Sequence, residues 1–229
     1  MNILTRLLLM ISIMLIGCGG SEIVNSKAKG NMQDTVFSKL REQPLELSEN
    51  GKLTEGLVGI YKLSRSETLA VAYSADSAFT CHACGVKISF FVFDEKAKLK
   101  KSYMYALELG KYGSAPAKDD IKIVEIAKGV PALMYSISDG GQGIDVDVRL
   151  IYRFTDNGVE KIFDERVSEN NEASIISKKT KWKATLDFDK SKRPYYDIIL
   201  HKKGIEDSKN IDQKIVYKFD GEKYIKNII

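Results

Sequence analysis

The chain has 229 residues, 44% of them apolar and 29% charged, the proportions of an ordinary globular protein long enough to bury a real core. Its 35 basic and 31 acidic residues leave a net charge of only +4, and no basic tract is interleaved with aromatic residues. That pattern excludes nucleic acid as a partner and predicts that lysine-rich stretches such as 96–101 and 178–183 form solvated faces and edge-strand gatekeepers.

The first element is a leader. Arg6 supplies a positive charge, and Leu7 to Ile16 form an apolar run interrupted only by Ser12. A membrane-spanning helix needs about 20 such residues, whereas the apolar core of a signal peptide needs about 7–15, followed by small residues. The run closes on Leu15-Ile16-Gly17-Cys18 and then Gly19-Gly20, so length and flank both favour a signal peptide. An ordinary secretory signal with an incidental cysteine is the plain alternative.

The tetrapeptide Leu15-Ile16-Gly17-Cys18 resembles the lipobox of bacterial lipoproteins. The resemblance implies that residues 1–17 are removed and that the Cys18 thiol receives diacylglycerol. It implies also that the new amino terminus is acylated, with palmitate as the expected chain. Stable anchoring takes at least two lipid signals, so such a residue holds the protein on a membrane. Gly19 stands where the family's inner-membrane retention signal is typically Asp, which implies the outer membrane and its periplasmic face. The resemblance covers the first twenty residues and transfers no activity.

Residues 18–33 are rich in Gly, Ser, Asn and Lys without apolar periodicity, and predict a flexible tether. A single β-rich domain is then expected over 34–229. Asp34 or Thr35 is placed to cap a short helix carrying Phe37 and Leu40 on one face, with Pro44 ending it. Beyond Pro44 the pattern turns to strands, with Asn50-Gly51 as the first turn signal.

Cys81-His82-Ala83-Cys84 is the motif with most chemistry in it. With Cys18 assigned to lipid, Cys81 and Cys84 are an even pair in a compartment that permits disulfides. Three readings stand. A structural disulfide is the simplest. Alternatively His82 stabilises a thiolate and makes the pair a thiol-disulfide centre, although Gly85 leads straight into a strand rather than the helix such pairs favour. A metal site is the third, but structural zinc wants four ligands, and two thiolates with an awkward His82 and the distant His201 fall short. No metal or other cofactor is expected. The loop also resembles a segment of some uncharacterised exported β-rich bacterial proteins, a likeness that implies no activity.

Ile88 to Phe93 is apolar at every position but Ser89 and predicts a central strand. Val146, Val148, Leu150, Tyr152 and Phe154 alternate with mostly polar residues, as do Trp182, Ala184, Leu186 and Phe188, and Ile215, Tyr217 and Phe219. This two-residue period marks half-buried antiparallel strands. Asp139-Gly140-Gly141, Asn157-Gly158 and Asp220-Gly221 supply hairpin turns between them. Ten or more strands in an antiparallel meander are expected, arranged as a sandwich or an open propeller-like sheet. Phe91-Val92-Phe93, Tyr152-Arg153-Phe154 and Tyr217-Lys218-Phe219 each precede an acidic turn, an echo that ordinary hairpins explain.

Other candidates are weaker. Gly140-Gly141-Gln142-Gly143-Ile144-Asp145 resembles the opening of a calcium-binding nonapeptide, but Asp147 stands where a large apolar residue belongs and there is a single copy. Asp187, Asp189, Ser191 and Asp197 echo an Asp-rich calcium loop that lacks its glycine. His201 reads as an exposed strand residue, and no nucleophile elbow or phosphate-binding glycine loop is present. The expected protein is therefore a lipid-anchored envelope module of non-enzymatic type, binding or assembling with an envelope protein or polymer. A thiol-disulfide or metal-handling protein is the alternative; a hydrolase or inhibitor has only location in its favour.

Overall fold

A computed structural model describes residues 26–176, 178–192 and 194–227. The expected signal peptide, 1–17, and Cys18 lie outside the described residues. Among the described residues one helix, α1 (Ser26–Glu42), precedes twelve strands. The first four are β1 (Leu53–Lys62), β2 (Glu67–Asp76), β3 (Val86–Asp94) and β4 (Leu99–Leu109). A short 3-10 turn at Lys118–Asp120 leads to β5 (Ile121–Ala127), β6 (Val130–Gly141), β7 (Ile144–Phe154) and β8 (Val159–Asn170). The last are β9 (Lys181–Asp189), β10 (Asp197–Glu206), β11 (Lys209–Phe219) and β12 (Tyr224–Asn227). The chain is thus mainly β, as its alternating pattern predicts.

Within each sheet every strand pairs antiparallel with its neighbour in sequence, giving a four-stranded sheet β1–β4 and an eight-stranded sheet β5–β12. The predicted central strand is β3, paired on both sides. Its alternation sends successive aromatics to opposite faces. Phe90 enters the core between the two sheets with Leu69, Val71, Leu133, Leu150 and Tyr152. Phe91 and Phe93 enter a second core beneath α1, with Ala70 and Ala72 of β2 and Met32, Val36 and Leu40 of the helix. The small alanines let the helix come close.

The eight-stranded sheet also buries both faces. Leu133 and Tyr152 point to the intersheet core, while their neighbours Ala132 and Ile151 point to a third core with Phe163, Trp182, Leu200 and Tyr217. Strands β8 and β9 share only three paired positions, Ser168 to Asn170 against Lys183 to Lys181. Below those pairs they part, and β9–β12 fold back over β5–β8. The turn before β10 then reaches β5: Tyr195 bridges Ala127, and the Tyr196 N–H donates to the Ile126 carbonyl at 2.9 Å. The sheets stack rather than radiate, so the hairpins ending in Phe93, Phe154 and Phe219 are turns of one meander and not propeller blades.

Three local expectations change. The helix starts at Ser26, so residues 26–33, expected in the tether, are helical. Met32 joins Val36 and Leu40 at four-residue spacing on the buried face, and the polar residues before it extend that helix along solvent. Thr35 therefore sits in the interior, its hydroxyl donating back to the Asn31 carbonyl at 2.9 Å, and neither it nor Asp34 is a cap. The β6–β7 turn is Gln142-Gly143, both at positive φ, with Gly140 and Gly141 inside β6; the strands pair fully to Gly141↔Ile144. Asn50-Gly51 lies in the connection before β1 and joins no hairpin.

Leu40→Ala is expected to cost about 2–5 kcal/mol, because it opens a cavity under a docked helix. Asp34→Ala, on the exposed face, should stay within about 0.5 kcal/mol. Urea unfolding followed by far-ultraviolet circular dichroism measures both.

Candidate functional site

The β2–β3 connection, residues 77–85, carries the Cys-His-x-Cys motif at one end of the sheets. Asp76 starts it. Its buried carboxylate accepts the Ala78 N–H at 2.9 Å and the Ser48 N–H at 2.7 Å, tying this loop to the connection before β1. Those two backbone donors hold the Asp76 carboxyl below the usual range. Gly51 packs directly against the same carboxylate, where a Cβ would collide with Oδ1.

Cys81 and Cys84 are joined in a disulfide with Cα atoms 4.9 Å apart. The Cys84 N–H closes a tight turn onto the Cys81 carbonyl at 2.9 Å, and both cysteine carbonyls then face the β4–β5 connection. Tyr112 donates its N–H to Cys81 at 3.1 Å and Gly113 to Cys84 at 2.8 Å. Gly113 has φ +65°, and a Cβ there would run into the Phe79 carbonyl. The disulfide closes a turn within the 77–85 loop, and the two cysteine carbonyls staple that turn to the β4–β5 connection.

His82 meets Asp139 and Tyr112. Its Nε2 lies 3.0 Å from Asp139 Oδ1 on β6, and its ring meets Tyr112 edge-on at 4.9 Å. Lys111 stands 3.7 Å from the same carboxylate and donates to the Ser138 carbonyl at 2.9 Å. Burial works against the charge on Asp139, but the Gly140 N–H, the neighbouring His82 and the Lys111 ammonium prevail and hold its carboxyl low. These contacts join a loop of the first sheet to a hairpin of the second.

Two recesses flank the motif. One, of about 500 Å3, is lined by His82, Tyr112, Asp120, Tyr135 and Asp139. At its floor Tyr135, whose hydroxyl is pushed upward in pKa by burial, accepts the Gly110 N–H at 3.1 Å. The other, of about 200 Å3, lies beside Phe79, Cys84, Val86 and Glu108. Phe79 and Tyr112 are both more than half exposed at the rim.

The chemistry open to this arrangement is limited. The hydroxyl nearest Asp139 in sequence, Ser138, donates to Asp147 and makes no bond to His82. Among the described residues no three His, Cys, Asp or Glu side chains gather as a metal site. Asp189 spends Oδ1 on the N–H and hydroxyl of Ser191 and lies directly across from Asp197, while Asp187 faces solvent. His201 is an exposed residue of β10 between Thr185 and Lys214. Asp76, Lys111, Tyr112 and Asp139 carry no motif, and no sequence signal marks them beyond the turn glycines beside Asp139. No known protein family, curated protein or solved structure matches this chain.

Two measurements bear on the staple. A disulfide closing so short a loop is expected to contribute about 2 kcal/mol, read as the difference in urea midpoint between the native protein and Cys81→Ser/Cys84→Ser. For Asp76, a depressed folded pKa means stability that is present above the unfolded value, about 3.9, and lost as pH falls through the folded value. Unfolding midpoints should thus decline below about pH 4, and Asp76→Asn should flatten that part of the profile.

Proposed function

We propose that the protein is a lipid-anchored cell-envelope binding module of non-enzymatic type, held through Cys18 at the periplasmic face of the outer membrane. Its partner is an envelope protein or polymer. The observation that carries this reading is the locking of the 77–85 loop, the β4–β5 connection and β6 into one recessed end surface. The disulfide, the paired carbonyls of Cys81 and Cys84, and the His82–Asp139 contact hold that surface together. Recognition surfaces of this kind sit on loops fixed by a rigid scaffold, and exposed Phe79 and Tyr112 supply aromatic anchors.

A second reading, thiol-disulfide exchange, has one specific observation in its favour: Cys81 is exposed. Against it, His82 is engaged with Asp139 and not with sulfur.

A photo-crosslinker placed at Tyr112 in intact cells is expected to capture one discrete envelope species, and Phe79→Ser should reduce the yield severalfold. Recovery of no specific adduct from that position or from Phe79 would count against the binding reading. The exchange reading requires rapid reaction with a dithiol and a reduction potential well above about −300 mV, the upper end for structural disulfides.

A further inference from the structure

Over the short stretch where β8 and β9 pair, a cleft of about 710 Å3 opens on the second sheet. Strand register lays a polar row across its floor. Ser138 of β6 faces Asp147 of β7, which faces Ser168 of β8, and Ser168 faces Lys183 of β9, itself opposite Lys203 of β10. Asp147 accepts the hydroxyls of Ser138 at 2.5 Å and Ser168 at 2.7 Å. Those two bonds, with lesser help from Arg149 and Lys183, hold its carboxyl below the usual range, so it is an anion at neutral pH.

The cleft therefore has two poles. On the β7 side Asp145 shares a face with Asp147, two residues away along the strand. Its carboxylate lies over Gly140, where a Cβ would meet Oδ1, and it makes no ion pair among the described residues. On the β9–β10 side Lys181 is paired with Glu172 at 2.7 Å and Lys203 with Asp212 at 3.1 Å. Lys183, between them, makes no ion pair among the described residues. Each wall so keeps one uncommitted charge, of opposite sign. The indole of Trp182, between Lys181 and Lys183 in sequence, faces the opposite side of the sheet, in the core with Leu200 and Tyr217, so the cleft is a surface of charged and polar side chains.

We propose that this cleft binds short peptides through both free termini, the ammonium at Asp145 and Asp147 and the carboxylate at Lys183. This deepens the binding-module reading and rests on it. A simple anion would meet the carboxylate wall without a balancing charge, and a polyamine would meet the lysines in the same way; a zwitterion satisfies both. The volume suits a ligand larger than one amino acid.

Isothermal titration calorimetry reads occupancy directly. The lipidated protein in detergent micelles is titrated with trialanine, N-acetyl-trialanine and trialanine amide. A saturable change is expected with trialanine, and capping either terminus should weaken it at least tenfold. Lys183→Ala should remove the penalty for amidation, and Asp145→Asn the penalty for acetylation. Both side chains are exposed, so both variants should keep the fold, checked by circular dichroism. Equal response to capped and free peptides, or no saturable response to any of them, overturns the proposal. If trialanine fails while the Tyr112 crosslink persists, the ligand class is wrong and the binding reading stands. If trialanine binds with the stated dependence while crosslinking recovers nothing, the cleft assignment is supported and the partner surface at Tyr112 is the reading that fails.

Discussion

Burial of β2 and β3 on both faces is the constraint on which the other layers depend. A strand alternates its side chains by geometry, so a stretch apolar at nearly every position cannot leave either face in water. Phe90 requires a partner layer on one side, and β5–β8 provide it with Leu133, Leu150 and Tyr152. Phe91 and Phe93 require one on the other, and α1 provides it with Met32, Val36 and Leu40. The helix is thus a structural layer of the domain. Its 17 residues form a marginal helix in isolation, and packing on Ala70 and Ala72 is what makes it persist.

The same demand recurs one layer further on. With Leu133 and Tyr152 committed to the intersheet core, Ala132 and Ile151 present apolar surface on the reverse of β6 and β7. The meander meets this by folding its own second half back. Strand β8 is the corner, and the three-pair contact with β9 is what remains of the ladder there.

The end surface follows from loops that β-meander topology brings together. In an antiparallel meander every second connection lies at the same end. The 77–85 loop and the β6–β7 hairpin meet there, with the β4–β5 connection running between them. A loop of nine residues would wander, and here it does not. Asp76 fixes its start, the disulfide tightens its middle, and Tyr112 and Gly113 hold its carbonyls. Each contact is modest, but they restrict the same few residues and so reinforce one another.

Much of this was legible in the sequence because it rests on local periodicity. The two-residue alternation of Val146 to Phe154 and of Trp182 to Phe188 marks strands wherever they pack, and the apolar run Ile88 to Phe93 marks a strand buried twice. The nearness of Cys81 and Cys84 is likewise local. What the sequence could not state is pairing at a distance. Met32 looks like an isolated apolar residue in a polar stretch until β2 and β3 lie beneath it, so the helix start was legible only from the tertiary side. His82 reads as a tuner of thiols because its nearest neighbours are thiols, and only the stacking of the two sheets puts Asp139 beside its Nε2. Asp145 and Lys183 are ordinary surface charges until the roll of the second sheet sets them across one cleft. Sequence by itself determined the alternation, the turns at Asn157-Gly158 and Asp220-Gly221 and the cysteine pair, because backbone geometry acts between near neighbours. Tertiary structure alone decided the layers, the corner and the facing charges, because these depend on which apolar faces cover one another.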